Sequence, residues 1–374
     1  MSKADAKVQN PATGRQAKFK IQGGRGGPCV SVVMPVYNGE TYLQEAVGSI
    51  FNQTFTDFEF IIIDDGSSDN SWQILSNCAT EDERIVLVRN HKNIGLIKTL
   101  NKGVALAQGK YIARQDQDDV SLPERLAVQT AYLEQHQEVG LLSGTYYRFF
   151  VAQGERSLRQ PPLTDTEIRW QLLFGNVLCH PSVMFRRQLF KRDEPIYHDA
   201  PYAEDYDLWT RLIQRTRAAS LPMPLLIYRV HKNSMCATNR DEQMRKVAEI
   251  SARQIQALLP AHSFTPAKVE ILRRCYSAQS LRQSEIALCP VMFQLFHAFE
   301  QQPDVDQRIV RQLRRQWIQR ILTNIPFQLW PEVFISGLFT SILHHDALAL
   351  FMVGFIHRPR RIIHQIYGRK NVAT

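Results

Sequence analysis

Residues 113–126 read ARQDQDDVSLPERL, with Asp116, Asp118 and Asp119 inside four positions. Carboxylates this close repel one another. Two of them at i and i+2 on a loop can hold a divalent cation from one side. Hard oxygen ligands suit Mg2+ or Mn2+, and such sites complete their shell with water and phosphate oxygens. The cation then offsets the repulsion. The competing explanation is helix capping, because Ser121 and Glu124 fit an S-x-x-E capping box with Pro123 in the first turn. That box uses neither Asp116 nor Asp118, so the cluster points to a metal site.

Two further acidic clusters carry chemistry. DDGSSD (64–69) opens with Asp64 and Asp65. It is either a turn with an N-cap or a place where carboxylates accept hydrogen bonds from a ribose hydroxyl or a base N–H. On one rim with a metal site, it suggests a nucleotide. AEDYDLW (203–209) sets Glu204, Asp205 and Asp207 beside Tyr202, Tyr206 and Trp209. A carboxylate shielded by aromatics can be a general base, because desolvation lifts its pKa toward neutrality. A solvated acidic helix start fits the same residues.

The surrounding elements decide where these groups point. VSVVMPVY (30–37), FEFIIID (58–64), RIVLVRN (84–90) and KYIARQD (110–116) read as buried strands. Helical patterns at 42–52, SWQILSNCA and 95–107 lie between them. This alternation predicts a mainly parallel, Rossmann-like α/β sheet with helices on both faces. Ligands of such sheets sit beyond the carboxyl ends of the strands. Tyr37 and Asn38, Asp64 and Asp65, Asn90 to Asn93, and the three aspartates all fall at that rim. The second half alternates less clearly: helical patterns at 122–136 and 164–174, an apolar stretch at 139–151, and helices beyond about residue 240.

Composition bounds the rest. A chain of 374 residues, 44% hydrophobic and 22% charged, can build two globular domains, or one with a large appendage. A net charge of +9 favours anionic partners: nucleic acid, phosphorylated small molecules or an acidic membrane surface. The six cysteines show no C-x-x-C spacing, which fits free thiols in a reducing compartment. The N-terminus has no apolar run of a secretory signal, so the cytoplasm is the expected location. GGRGG (23–27) precedes its strand and reads as a linker, since a dinucleotide loop would follow it.

VSVVMPVYNGETYL, IIIDDGSSD, NIGLIKTLNKG, ARQDQDD, CHPSVMFRR, AEDYDLWTRL and YRVH occur in this order. The ordered set resembles glycosyltransferase family 2, which has the GT-A fold, over about Val30 to His231. The resemblance implies a GT-A domain at 29–232, between a flexible basic tail at 1–28 and a helical region at 233–374. It implies inverting transfer of a sugar from a nucleotide-diphosphate donor, a UDP-sugar being favoured. Donor-binding positions carry over to Pro35, Tyr37, Asn38, Glu40, Asp64, Asp65, Asn93 and Asp116. Asp116 and Asp118 would hold Mn2+ or Mg2+, with His231 as the candidate further ligand against a structural role. The acceptor's base carries over to Asp205, with Glu204 as its neighbour.

Elementary chemistry agrees. A metal-bound diphosphate leaves easily, and a base on the opposite face of the sugar activates the incoming hydroxyl. Direct displacement needs no nucleophilic carboxylate, unlike a retaining glycosidase. Gln115 departs from the family, whose members often carry an apolar residue there, and Gln117 fills the variable position. Neither weakens metal binding, and either could alter donor choice. Arg186 could meet phosphate, but packing is the better reading.

The expected acceptor is a surface glycan or lipid-linked sugar. Residues 333–356 form an apolar stripe interrupted by His344, His345 and Asp346, followed by Arg358, Arg360, Arg361, Arg369 and Lys370. This pattern is a core helix with a basic tail, or a peripheral contact with an anionic membrane, here the cytoplasmic face of the inner membrane. Two other classes compete. A nucleotidyltransferase acting on sugar phosphates would want a glycine-rich basic loop after the first strand, which VYNGETYL lacks. A non-enzymatic nucleic-acid-binding protein would interleave aromatics with Lys and Arg, whereas here the basic residues are scattered, so no nucleic-acid partner is expected.

Overall fold

The computed structural model describes residues 27–324, apart from 192–193, 233, 235–237 and 278–287. The N-terminal tail up to residue 26, the stripe at 333–356 and the basic C-terminal end lie outside the described residues. The chain forms two compact units. The first comprises residues up to Ile168 together with Asn176–Lys246. The second comprises Arg169–Gly175 and the chain from Val247.

The first unit is built on one curled sheet. Strands β1 (Val30–Val36), β2 (Phe58–Asp64), β3 (Ile85–Arg89) and β4 (Tyr111–Arg114) run parallel in the order β3-β2-β1-β4. Helices α1 (Glu40–Phe51), α2 (Ser71–Glu81) and α3 (Leu96–Leu106) return the chain between them. Every residue of β1, β2 and β4 is buried, which is why these strands read as unbroken apolar runs. Val36 pairs with Asp64, and Asp64 with Arg89. The strands therefore end level, and the loops that follow them share one rim.

Beyond β4 the sheet becomes mixed. β5 (Val120–Ser121), β6 (Val139–Phe150), β7 (Glu155–Arg159), β8 (Met184–Arg186) and β9 (Arg217–Val230) complete it. β8 is antiparallel to β4 and β6, β9 lies parallel to β6, and β5 is antiparallel to β9. The apolar stretch near 139–151 is thus a long strand. α4 (Arg125–Gln135) starts later than the pattern at 122–136 predicts. Ser121 belongs to β5 and donates its hydroxyl to Gln115 Oε1 at 2.7 Å, and Glu124 makes no side-chain cap. The capping box read from the sequence does not form. Arg186 is buried and donates to the Val139 carbonyl at 2.8 Å and the His136 carbonyl at 3.1 Å. Its role is packing, as expected.

α3 lies tightly on β1. A Cβ on Gly103 would come within 2.5 Å of Val33 Cγ1, a buried β-branched side chain that cannot swing away. Helix propensity favours alanine over glycine by about 1 kcal/mol, while overpacking a core costs about 1–3 kcal/mol. Gly103→Ala should therefore destabilise by about 1 kcal/mol in urea unfolding. A more stable variant would show that the contact is loose.

The second unit is helical. It takes the end of α5 (Asp165–Leu172), most of α7 (Arg240–Leu258), then α8 (Pro266–Ser277), α9 (Cys289–Glu300) and α10 (Gln307–Asn324). Trp170, Phe174, Leu272, Phe296, Phe299 and Trp317 centre its core, and the rings of Trp170 and Phe296 stack 4.0 Å apart. No described helix is long and apolar enough to cross a membrane.

Candidate active site

The rim loop after β4 gathers the three aspartates. One carboxylate oxygen from each of Asp116, Asp118 and Asp119 lies within 4.8 Å of the others. Buried Gln115 shapes the loop by donating to the carbonyls of Asp116 (3.0 Å) and Asp119 (2.9 Å). Arg125 in turn donates to Gln115 Oε1 at 3.0 Å and to the Arg114 carbonyl at 2.7 Å. Burial lowers its pKa to about 10. An apolar residue at position 115 could make none of these bonds.

β9 holds the loop from the other side. The Arg229 N–H donates to Asp119 Oδ1 at 2.8 Å, and its guanidinium donates to the Asp118 carbonyl at 2.9 Å while pairing with Glu45. His231 Nε2 lies 2.9 Å from Asp118 Oδ2, with its ring 5.0 Å from that of Tyr42. Asp116 pairs with buried Arg114. Burial raises the Asp116 pKa, and burial with the charges of Asp116 and Asp118 raises that of Asp119 far more. Asp119 Oδ2 is buried without a hydrogen-bond partner. Convergent hard oxygens, an imidazole alongside and an orphaned buried oxygen fit a divalent cation.

The loops after β1 and β2 clasp each other. Asn38 takes its N–H to Ser67 Oγ (3.0 Å) and accepts at Oδ1 from the Ser68 N–H (2.9 Å). Gly39 N–H donates to Ser71 Oγ at 2.8 Å, and Glu40 accepts from the Asn70 N–H at 3.0 Å. Asp64 is fully buried between Arg89 and the Ser67 N–H, and Asp65 accepts from Asn90 Nδ2 and the N–H groups of Ile94 and Gly95. Asn93 Oδ1 accepts from the Gly95 N–H at 3.0 Å. Pro35 is enclosed in β1. Of these positions Tyr37 presents an exposed ring, with 45% of its surface open.

α6 (Glu204–Leu212) brings the third cluster. This is a helix start, but its Glu204 and Asp207 are buried rather than solvated. Asp205 accepts from Asn176 Nδ2 at 2.7 Å and from the Tyr206 N–H at 2.7 Å. Burial first, then Asp205, lifts the Glu204 pKa to about 7. Burial lifts the Asp205 pKa to about 6; the two hydrogen bonds and the Arg114 charge oppose the rise, and the Asp116 charge adds to it. Arg114 thus acts on both acidic centres at once. Sequence reasoning did not single out Arg114, Asn176 or Tyr197, whose hydroxyl lies 2.9 Å from His180 Nε2. A cation ending a wholly buried strand was the available signal for Arg114; nothing marked the other two.

Residues 31–193 match the family model for Glycosyl transferase family 2. An uncharacterized glycosyltransferase of Haemophilus influenzae is 32% identical over 238 residues, spanning 61% of this chain and 73% of that one. The chain belongs to glycosyltransferase family 2. Another relative of this glycosyltransferase is the O-antigen biosynthesis glycosyltransferase WbnJ of Escherichia coli, 34% identical over 55% of this chain and 81% of WbnJ. The crystal structure of S. aureus TarS 1-349 in complex with UDP-GlcNAc superposes with a TM-score of 0.51 at 18% identity, over 78% of this chain and 89% of that one, and shares the GT-A fold. Family membership favours glycosyl transfer over both competing classes.

Proposed function

We propose that the glycosyltransferase moves a sugar, with inversion, from a nucleotide-diphosphate donor to a hydroxyl of a glycan or lipid-linked acceptor in surface-polysaccharide assembly. The observation that carries this reading is the pairing of a cation-ready aspartate cluster with Asp205, a carboxyl of raised pKa that feels the Asp116 charge. Asp116, Asp118 and Asp119, with His231 beside them, would hold Mn2+ or Mg2+. Such an ion, when bound, neutralises charge developing on a departing diphosphate.

The chain's own residues do the rest. Asp205 takes the proton from the acceptor hydroxyl as it attacks. Asn176, bonded to Asp205 Oδ2, fixes which oxygen faces the acceptor. Glu204, its own pKa lifted to about 7 by burial and by Asp205, stands beside that base as its carboxyl neighbour. The exposed Tyr37 ring is the surface offered to a nucleobase; Asn38, Glu40, Asp64, Asp65 and Asn93 serve the donor by fixing the loops around it. WbnJ, by its description an O-antigen enzyme, supports a polysaccharide role. We place catalysis in residues 29–232 and the enzyme in the cytoplasm, peripheral to an anionic membrane face.

Thermal unfolding with UDP, GDP, dTDP or CMP-sugar donors, each with Mn2+, Mg2+ or EDTA, tests the reading. A ligand at about 100 times its Kd adds about 2.7 kcal/mol of stability, a rise of several degrees. One nucleotide should stabilise, with metal required and a UDP-sugar first in line. No shift with any donor would sink the assignment.

A further inference from the structure

Gln117 stands between the two aspartates assigned to the metal, yet its side chain does not face them. It spans to the loop after β1 and binds the backbone of Tyr37 twice. The Tyr37 N–H donates to Gln117 Oε1 at 2.8 Å, and Gln117 Nε2 donates to the Tyr37 carbonyl at 3.2 Å. Among the described residues, these are the hydrogen bonds that join segment 116–118 to segment 37–40. The second segment is otherwise fastened to the loop after β2, on the side away from the aspartates. Gln117 is thus the strap between the aspartate loop and the exposed Tyr37 ring.

The neighbouring residue is shaped for it. A Cβ on Gly39 would fall 2.6 Å from Gln117 Oε1 and 2.8 Å from its Cδ. Gly39 has φ −105° and ψ 7°, a negative-φ backbone open to residues such as alanine. Backbone freedom therefore does not require glycine here; the room taken by the Gln117 amide does.

We propose that Gln117 is a positioning residue that couples cation binding at the aspartates to nucleotide binding at Tyr37. An ion that fixes the 116–118 loop also fixes the Tyr37 backbone through the two amide bonds, and a seated nucleotide returns the same bias to the ion, because such coupling is reciprocal. The inference rests on the donor and metal assignments proposed above.

Nucleotide titrations by calorimetry or fluorescence, with UDP and GDP as probes in Mn2+ or in EDTA, test it on the full chain. Three variants are compared with the parent: Gln117→Ala, Gly39→Ala and the double substitution. Gly39→Ala should expel the flexible end of Gln117 with little cost to folding, so it should reproduce Gln117→Ala. In each variant the ratio of Kd in EDTA to Kd in Mn2+ should shrink by about tenfold, of the size typical of a coupling free energy. The double variant should be no worse than either single one, because both remove the same strap. A merely loosened fold would weaken binding equally with and without metal and leave that ratio unchanged. An unchanged ratio, or effects that multiply in the double variant, overturns the proposal while leaving the donor assignment intact. If the parent chain binds neither probe and no other donor stabilises it, the donor assignment itself falls, and the coupling falls with it.

Discussion

Asp205→Asn should lower kcat by about two to four orders of magnitude, the usual contribution of a general base, with donor Kd within about twofold of the parent. Asparagine keeps the size of the side chain but cannot take a proton. The single asparagine oxygen still accepts from the Tyr206 N–H, so the helix start should hold, while the Asn176 amide loses its carboxylate acceptor. The variant separates chemistry from binding: kcat within tenfold of the parent would remove Asp205 from the mechanism. The pH profile gives a second check. With the Asp205 pKa at about 6, the carboxyl is protonated below that value and cannot act as base. Activity should fall about tenfold per pH unit below pH 6 and level off above it. Asp116 adds to the rise in that pKa, so neutralising Asp116 should move the acid limb to lower pH in whatever activity remains. Stability carries the opposite sign. A carboxyl whose folded pKa lies above its unfolded value favours folding at low pH, and the benefit is lost as pH climbs through the folded pKa. Without ligand and above about pH 7, the Asp205→Asn enzyme should therefore be at least as stable as the parent.

Asp118→Ala should abolish metal-dependent stabilisation by nucleotide and cut kcat by about a thousandfold, several kcal/mol of charge stabilisation being at stake. The unliganded fold should barely notice. The Asp118 side chain is 24% exposed, and its partner His231 stays packed against Tyr42 and bonded at its N–H to Ser234. Asp119→Ala is the contrasting control. That carboxylate is wholly buried and receives the Arg229 N–H, so its loss should lower the melting temperature even without ligand. Differential scanning calorimetry on both variants, with and without Mn2+ and donor, distinguishes them. Full metal response in Asp118→Ala would exclude Asp118 as a ligand.

The parallel half of the sheet was legible in the sequence because its strands are buried on both faces, leaving unbroken runs such as FEFIIID between amphipathic helices. The mixed half was not. β5 has two residues, too few for any period, and β9 pairs with β6 through register shifts that blur alternation. The aspartate cluster was readable because three carboxylates in four positions need an explanation wherever they occur. Its supports were not: Arg229 comes from 110 positions away along the chain, and Asn176 reaches Asp205 across 29. The capping box misled because local patterns compete with tertiary ones, and Ser121 had a buried glutamine to serve. The acidic helix start at Glu204 was ambiguous because burial, which separates a poised carboxyl from a solvated one, is not written in the motif itself.

The clasp between the loops after β1 and β2 bears on discrimination. Asn38, Glu40, Asp64 and Asp65 already hold partners before any nucleotide arrives. A hydrogen bond that a base donates to such an oxygen replaces one that exists, so the correct base gains little from it. A wrong base that breaks the bonds of Asp64 and Asp65 without replacing them leaves buried oxygens orphaned, at about 1–3 kcal/mol each. Selectivity among nucleobases should therefore come from rejection more than from attraction, which allows a donor to be chosen sharply and its spent diphosphate still to be released quickly.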